Sequence, residues 1–375
     1  MILRVLVMLM SVPLLAEAQQ NRPLPAFPGA EGFGKYARGG RGGSVYAVTN
    51  LHDAGPGSLR DAVSQPDSIV VFKVSGTIEL ESPLEIAQPR LTIAGQTAPG
   101  DDICLKGSGT YIKADDVVVR YLRCRPGDEQ GEAHDGLSIL GGERIIVDHC
   151  SISWSVDEAL SVTGRTTDNI TVQWCFITES LNDSVHPKGP HGMGSLLRLH
   201  GQLSMHHNLH AHHQLRNPAI ASYEGMTTVL DFRNNVVYDW GGHPCTGAKA
   251  GRYVNLNSVV NFLRSGSSTL EQRRDWAFFG WSEDTRVYQA SNLINGKDLG
   301  WGMFLRTYSR ASHEFQVESI ATEPAQVAFD RVLAEAGASR PRRDSVDARI
   351  ASQVKERRGG IIDSQRQGGG WPVLK

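Results

Sequence analysis

The chain reads as an all-β protein, a right-handed parallel β-helix with a short helical C-terminal appendage. Three observations predict that class. Short β-branched runs alternate with Gly, Asn and Asp punctuation, no helical period is sustained through the middle of the chain, and the runs recur at a near-constant interval.

The interval is the informative feature. "VVVRYLRC" ends at Cys124, "RIIVDHC" at Cys150 and "NITVQWC" at Cys175, followed by "LSMHHN" at Asn208, "LDFRNN" at Asn235, "LNSVVN" at Asn261 and "VYQASN" at Asn292. Successive spacings are 26, 25, 33, 27, 26 and 31 residues, each unit closing on Cys or Asn. A period of that size is the mark of a stacked repeat in which no unit buries its apolar face alone. Coils of three short strands would lie roughly 4.8 Å apart. Asparagines stacked at one bend satisfy one another as a buried amide ladder. Cys124, Cys150 and Cys175 would pack there as small thiols, a separation also compatible with a disulfide. Cys104 and Cys245 fall off this ladder. The long spacing before Asn208 requires an excursion, "TESLNDSVHPKGPHGMGS", and solenoid insertions tend to gather on the binding face.

The termini differ in character. "MILRVLVMLMSVPLLAEAQQ" has a basic Arg4, an apolar run and an "AEA" cleavage pattern, so residues 1–18 read as a secretory signal peptide. Residues 19–320 form the β-helix, in which "SLRDAVS" is a short helical cap on the first coil. From residue 321 to 375 the chain turns charged and helical, "EPAQVAFDRVLAEAG" then "RRDSVDARIASQVKERRGG", an extension packed on the β-helix. Gly32-Phe33-Gly34 lacks the preceding strand and following acid of a dinucleotide fingerprint. The net charge of −2 without a basic run speaks against nucleic acid or an anionic membrane as partner. No later stretch is apolar for long enough to cross a bilayer. Five cysteines is too few for a disulfide framework in an exported chain of 375 residues. The expected product is an exported monomer, extracellular or periplasmic.

Chemistry-bearing residues cluster in two places. "SMHHNLHAHHQLRNP" holds five histidines, but no metal-ligand spacing and no acid accompany them. Core packing and a polar rim to a cleft fit them better, with Arg216 standing just behind. Asp148, Asp157 and Glu158 form an acidic group on consecutive faces of one coil. Carboxylates in a shallow groove suit Ca²⁺ better than zinc, while turn-forming and N–H-accepting roles fit the same spacing.

"HHN", with an Arg eight residues on and then x-Pro, resembles the pectate lyases of polysaccharide lyase family 1. The opening "AFPGAEGFGKYARGGRGG" and the ending "RRDSVDARI…IIDSQ…GGWP" are similar to secreted bacterial members. The resemblance implies a pectin-lyase-like β-helix that cleaves pectate or polygalacturonate by calcium-assisted β-elimination. It places the catalytic arginine on Arg216, the catalytic lysine on Lys188 and calcium ligands on Asp148 and Asp157. Two positions depart from the pattern: a third calcium carboxylate falls on Ser161, with Glu158 as its substitute, and a second arginine falls on Ala221. Substrate carboxylates are then expected to meet Arg198, His186 or His213. Two rivals share the fold, a glycoside hydrolase with paired carboxylates and a non-catalytic polysaccharide-binding β-helix. Unsaturated uronate ends distinguish a lyase from both.

Overall fold

A computed structural model of the chain describes residues 23–375, so the expected signal peptide lies outside the described residues. Parallel strands stack coil upon coil into an 18-stranded and a 10-stranded sheet. One coil shows the plan: Glu143–Asp148 in a first row, Ser151–Ser153 in a second, Glu158–Gly164 in a third. The next coil repeats it with Asp168–Gln173, Phe176–Thr178 and Met193–Leu199, in register strand by strand. The interior is a single apolar column, in which Ile145, Ile152 and Leu160 of that coil are fully buried. Alternation along each strand sends every second side chain inward.

The corners explain the period. These first-row strands are each followed by a left-handed residue, Tyr121, His149, Trp174, His207, Asn234, Val260 and Ser291, with φ between 48° and 55°. Side chains at this corner stack: Tyr121 on His149 at 4.8 Å, and Trp174 on His207 at 4.2 Å between ring centroids. One residue later runs the polar ladder. The Oδ1 atoms of Asn208, Asn235, Asn261 and Asn292 accept backbone N–H groups of Cys175, Asn208, Asn235 and Asn261 at 2.8–3.0 Å. Cys150 and Cys175 belong to this column, but Cys124 does not. Ser151 pairs with Arg123 and Ile152 with Cys124, so the rung beneath Cys150 is Leu122. The left-handed corner at Tyr121 sets the register, and Cys124 lies three residues beyond it inside its strand. All five cysteines are free thiols.

Two of the three outer faces are covered. A 3₁₀ turn, Phe33–Tyr36, lies across the first row, its Phe33 N–H donating to Ser204 and its Gly34 N–H to Thr171 at 2.8 Å. A Cβ on Gly34 would sit 2.2 Å from the Ile145 carbonyl oxygen, so the glycine-rich opening is a close-approach strap. Helices Ala325–Glu335 and Ser345–Glu356 cover the second row, with Phe329, Val332 and Ile350 against Trp154, Phe176 and Leu209. The short helix Leu59–Val63, capped by Ser58, closes the first coils. The third row stays open, and Leu196, Arg198, Ala219 and Ala221 are half-exposed along it.

A buried ionic cluster fastens the C-terminal helices. Arg125 reaches Asp344 at 2.5 Å and Asp347 at 2.7 Å, and Arg123 reaches Asp102 at 2.7 Å, all essentially removed from solvent. Removing one partner strands buried charge. Arg125→Met is therefore expected to cost about 3–5 kcal/mol in urea unfolding. A loss under about 1 kcal/mol would show the cluster to be dispensable. Among the described residues no helix is long and apolar enough to cross a membrane.

Candidate active site

The open third face is where acidic and basic side chains from four successive coils meet. Asp135, Asp157 and Arg216 precede the third-row strands Leu137–Ile139, Glu158–Gly164 and Ala219–Ala221, and Glu158 begins the second of these. Asp135, Asp157 and Glu158 each bring a carboxylate oxygen within 4.8 Å of the others. The Arg216 guanidinium is ion-paired with Glu158. Arg216 itself has φ 64°, a strained backbone for a residue with a Cβ. Backbone bonds hold it there, its carbonyl accepting Ser195 N–H at 2.6 Å.

The electrostatics follow from crowding. Burial pushes the Asp135 carboxyl up to about 6, Asp157 adding to it, although Ser138, Ser161 and Arg216 pull the other way. Burial also lowers the Arg216 guanidinium below the ordinary arginine value, against the pull of Asp157 and Asp135. Asp157 is gripped by two imidazoles: His191 Nε2 lies 2.9 Å and His186 Nε2 3.8 Å from its oxygens, the rings stacked 3.8 Å apart. The Lys188 backbone N–H donates to His186 Nδ1 at 3.1 Å, so the His186 proton sits on Nε2, facing the carboxylate. With that nitrogen protonated, the His186–His191–Asp157 group orients Asp157 and lacks the lone pairs of a zinc site.

The oxygen cluster does fit a hard cation. Three carboxylates converge within 4.8 Å of one another, with one guanidinium, Arg216 on Glu158, set against them, and burial drives Asp135 toward protonation with Asp157 adding to it.

Several sequence expectations change here. Asp148 is not with Asp157. It ends a first-row strand, fully buried, and its oxygens are taken by Arg120 at 2.7 Å, His149 at 2.8 Å and Gln173 at 2.7 Å. Burial alone would raise its pKa, but His149, Arg120 and Gln173 hold the carboxyl below its ordinary value. Two left-handed corners, at His149 and Trp154, separate it from Asp157 and put the two on different faces. Asp135, one coil earlier and bonded to Ser138 and to the Glu158 N–H, stands where Asp148 was expected. Its signal was an acid just ahead of the "LSI" strand, 23 residues before Glu158. Ser161, which lacks the expected carboxylate, hydrogen-bonds Asp135 instead.

His213 is not at the surface. Its Nδ1 bonds Ser180 at 2.7 Å and its Nε2 the Ile177 carbonyl at 2.9 Å, with no exposure at all. The other four histidines of the run are buried as well: His206 against His207, His210 on Ser195, His212 on Asp239. Arg198 pairs with Thr163 and Ala221, five residues along the strand from Met193, the partner of Glu158. That is roughly 17 Å from the acid cluster at about 3.3 Å per residue. It lies over Tyr223 at 5.2 Å, one strand from the position of the missing arginine. His186 and the exposed Lys188 do border the site, on the excursion that precedes Met193–Leu199.

No family model matches the chain. Solved structures share its architecture. A pectate lyase bound to hexasaccharide superposes with a TM-score of 0.60 at 15% identity, covering 84% of this chain and 98% of that one. The cedar pollen allergen jun a 1 superposes at 0.58 with 20% identity, covering 85% of this chain and 95% of its own. Among curated proteins, probable pectate lyase C of Aspergillus fumigatus is 39% identical over 375 residues, spanning 96% of this chain and 84% of that protein. The chain belongs to the pectate lyase family. Probable pectate lyase C of Emericella nidulans is 42% identical over 300 residues, spanning 76% of this chain and 65% of its own. These relatives are fungal, where bacterial members were expected. Pectate lyases are polysaccharide lyases, and the β-helix of this member is the family's fold.

Proposed function

We infer that the protein cleaves polygalacturonate by β-elimination at the open third face, releasing 4,5-unsaturated uronate ends. One observation carries this: Arg216 and the carboxylates of Asp135, Asp157 and Glu158 converge in one cleft, though they come from distant stretches of chain. Arg216 takes the C5 proton. The electron pair of that C–H bond becomes the C4–C5 double bond, the C4–O bond breaks, and the departing oxygen is protonated from the Lys188 side or from solvent. An arginine is ordinarily a poor base, and its burial works in the needed direction. His186 and His191 hold Asp157 in place. Asp135, Asp157 and Glu158 are the residues to hold calcium. When bound, that ion would supply positive charge to the substrate carboxylate as negative charge builds at C5. Residues 1–18 as an export signal and an extracellular site of action belong to this reading, as does a monomeric chain.

Treatment with EGTA is expected to stop the rise in ultraviolet absorbance from polygalacturonate, and excess Ca²⁺ to restore it. Asp135→Asn is expected to weaken Ca²⁺ binding at least about tenfold in calorimetric titration. Undiminished binding by that variant would remove Asp135 from the ligand set. Wild-type protein that releases no unsaturated product from any uronate polymer would end the lyase reading.

A further inference from the structure

The column that carries Arg216 continues beyond it. Ala219, Thr246 and Phe279 are neighbours in the third row, and Arg216, His243 and Trp276 stand three residues ahead of each. The polar cleft thus gives way, one coil at a time, to aromatic rings. His243 stacks on Trp276 with centroids 5.4 Å apart and planes within 9°. Trp276 meets Phe279 at 6.0 Å, and Phe279 meets Trp281 at 4.9 Å. Trp281 is 54% exposed. Two guanidiniums lie on this surface, Arg273 over Trp276 at 5.2 Å and Arg306 over Phe279 at 5.6 Å, and neither enters an ion pair among the described residues.

We propose that His243, Trp276 and Trp281, backed by the buried Phe279 and flanked by Arg273 and Arg306, form a distal subsite that binds uronate rings of the same polymer beyond the cleavage point. The inference rests on the lyase reading above. Trp276 lies two coils from Arg216, about 10 Å along the axis at roughly 4.8 Å per coil. One pyranose ring in an extended chain advances by about one coil spacing, so two rings past the cut reach the platform without bending the polymer. Aromatic faces suit the apolar C–H side of a sugar ring. Planar guanidiniums beside them suit its carboxylate. Both features are what an acidic polysaccharide needs, and the platform is continuous with the catalytic cleft. It also makes longer substrates better ones.

The test compares trigalacturonate with hexagalacturonate. Trp276→Ala is expected to lower the hexamer-to-trimer ratio of kcat/KM about tenfold, the scale of one lost stacking contact with its buried area. Trp276→Phe should recover most of that ratio. Hexagalacturonate binding to the Arg216→Ala chain, followed by calorimetry, reads the platform without turnover and should weaken by a similar factor when Trp276→Ala is added. An unchanged ratio, or an equal fall on both substrates, overturns the proposal. Absence of unsaturated product from wild type, with hexamer binding still dependent on Trp276, would instead sink the lyase reading and leave the subsite standing.

Discussion

Arg216→Lys is expected to cut the rate of unsaturated-product formation by about 10²–10⁴, or about 3–5 kcal/mol of barrier, the usual contribution of a placed base. Lysine keeps a positive charge for Glu158, so the fold and the ion pair have a replacement partner. What it loses is reach and the planar fork, and with them the geometry at C5. The strained φ of 64° fixes where the side chain begins, and a shorter chain from that point cannot extend to the same atom. The comparison is made on polygalacturonate at saturating calcium, with thermal melting as the check on folding. A lysine variant of near-native rate and unaltered melting would place the base elsewhere.

Mild acid is expected to unfold the protein through its buried histidines. His207 and His210 are held down to about 3 and His213 to about 4 by burial, and burial takes His206 well below its ordinary value. Each imidazole is neutral when folded and titrates near about 6.5 when exposed. Their contribution to stability is complete above that pH and drains away as pH falls from about 6.5 toward 3–4, where the folded chain takes up the protons too. Buried carboxyls such as Asp135 act in the opposite sense. Burial pushes Asp135 up to about 6, with Asp157 adding to it, so folding binds a proton there. The histidines carry the larger share, so stability falls as pH drops from 6 to 5. Urea midpoints at pH 7, 6 and 5 measure it, and His210→Phe should reduce the slope by about one proton. A midpoint that does not move between pH 7 and 5 would contradict the assignment.

The β-helix was legible because its ladder repeats one chemical device. Asn208, Asn235, Asn261 and Asn292 each accept a backbone N–H of the neighbouring rung, and the pattern survives unequal loops. Cys124 misled because sequence shows which residue closes a run but not which residue turns the corner. The same limit separated Asp148 from the site: nine residues of chain contain two left-handed corners, and neither His149 nor Trp154 announces one. A local motif singled out Arg216, which the fold sets beside Glu158. Asp135 was not singled out, because its relation to Asp157 and Glu158 exists only after the coils stack. His213 looked like a cleft residue, yet its ring is consumed by Ser180 and Ile177. A crowded histidine run carries no sign of which way each ring faces.

The ionic fastening of the C-terminal helices has a consequence for synthesis. Arg125 is made 219 residues before Asp344. Coils can stack on one another as they emerge from the ribosome, but until residues 344–347 arrive the Arg125 guanidinium must stay hydrated, and the outer face of Trp154 and Phe176 stays greasy and bare. A nascent chain halted before that point is a half-closed cylinder with a sticky flank, the stage at which a chaperone has something to hold.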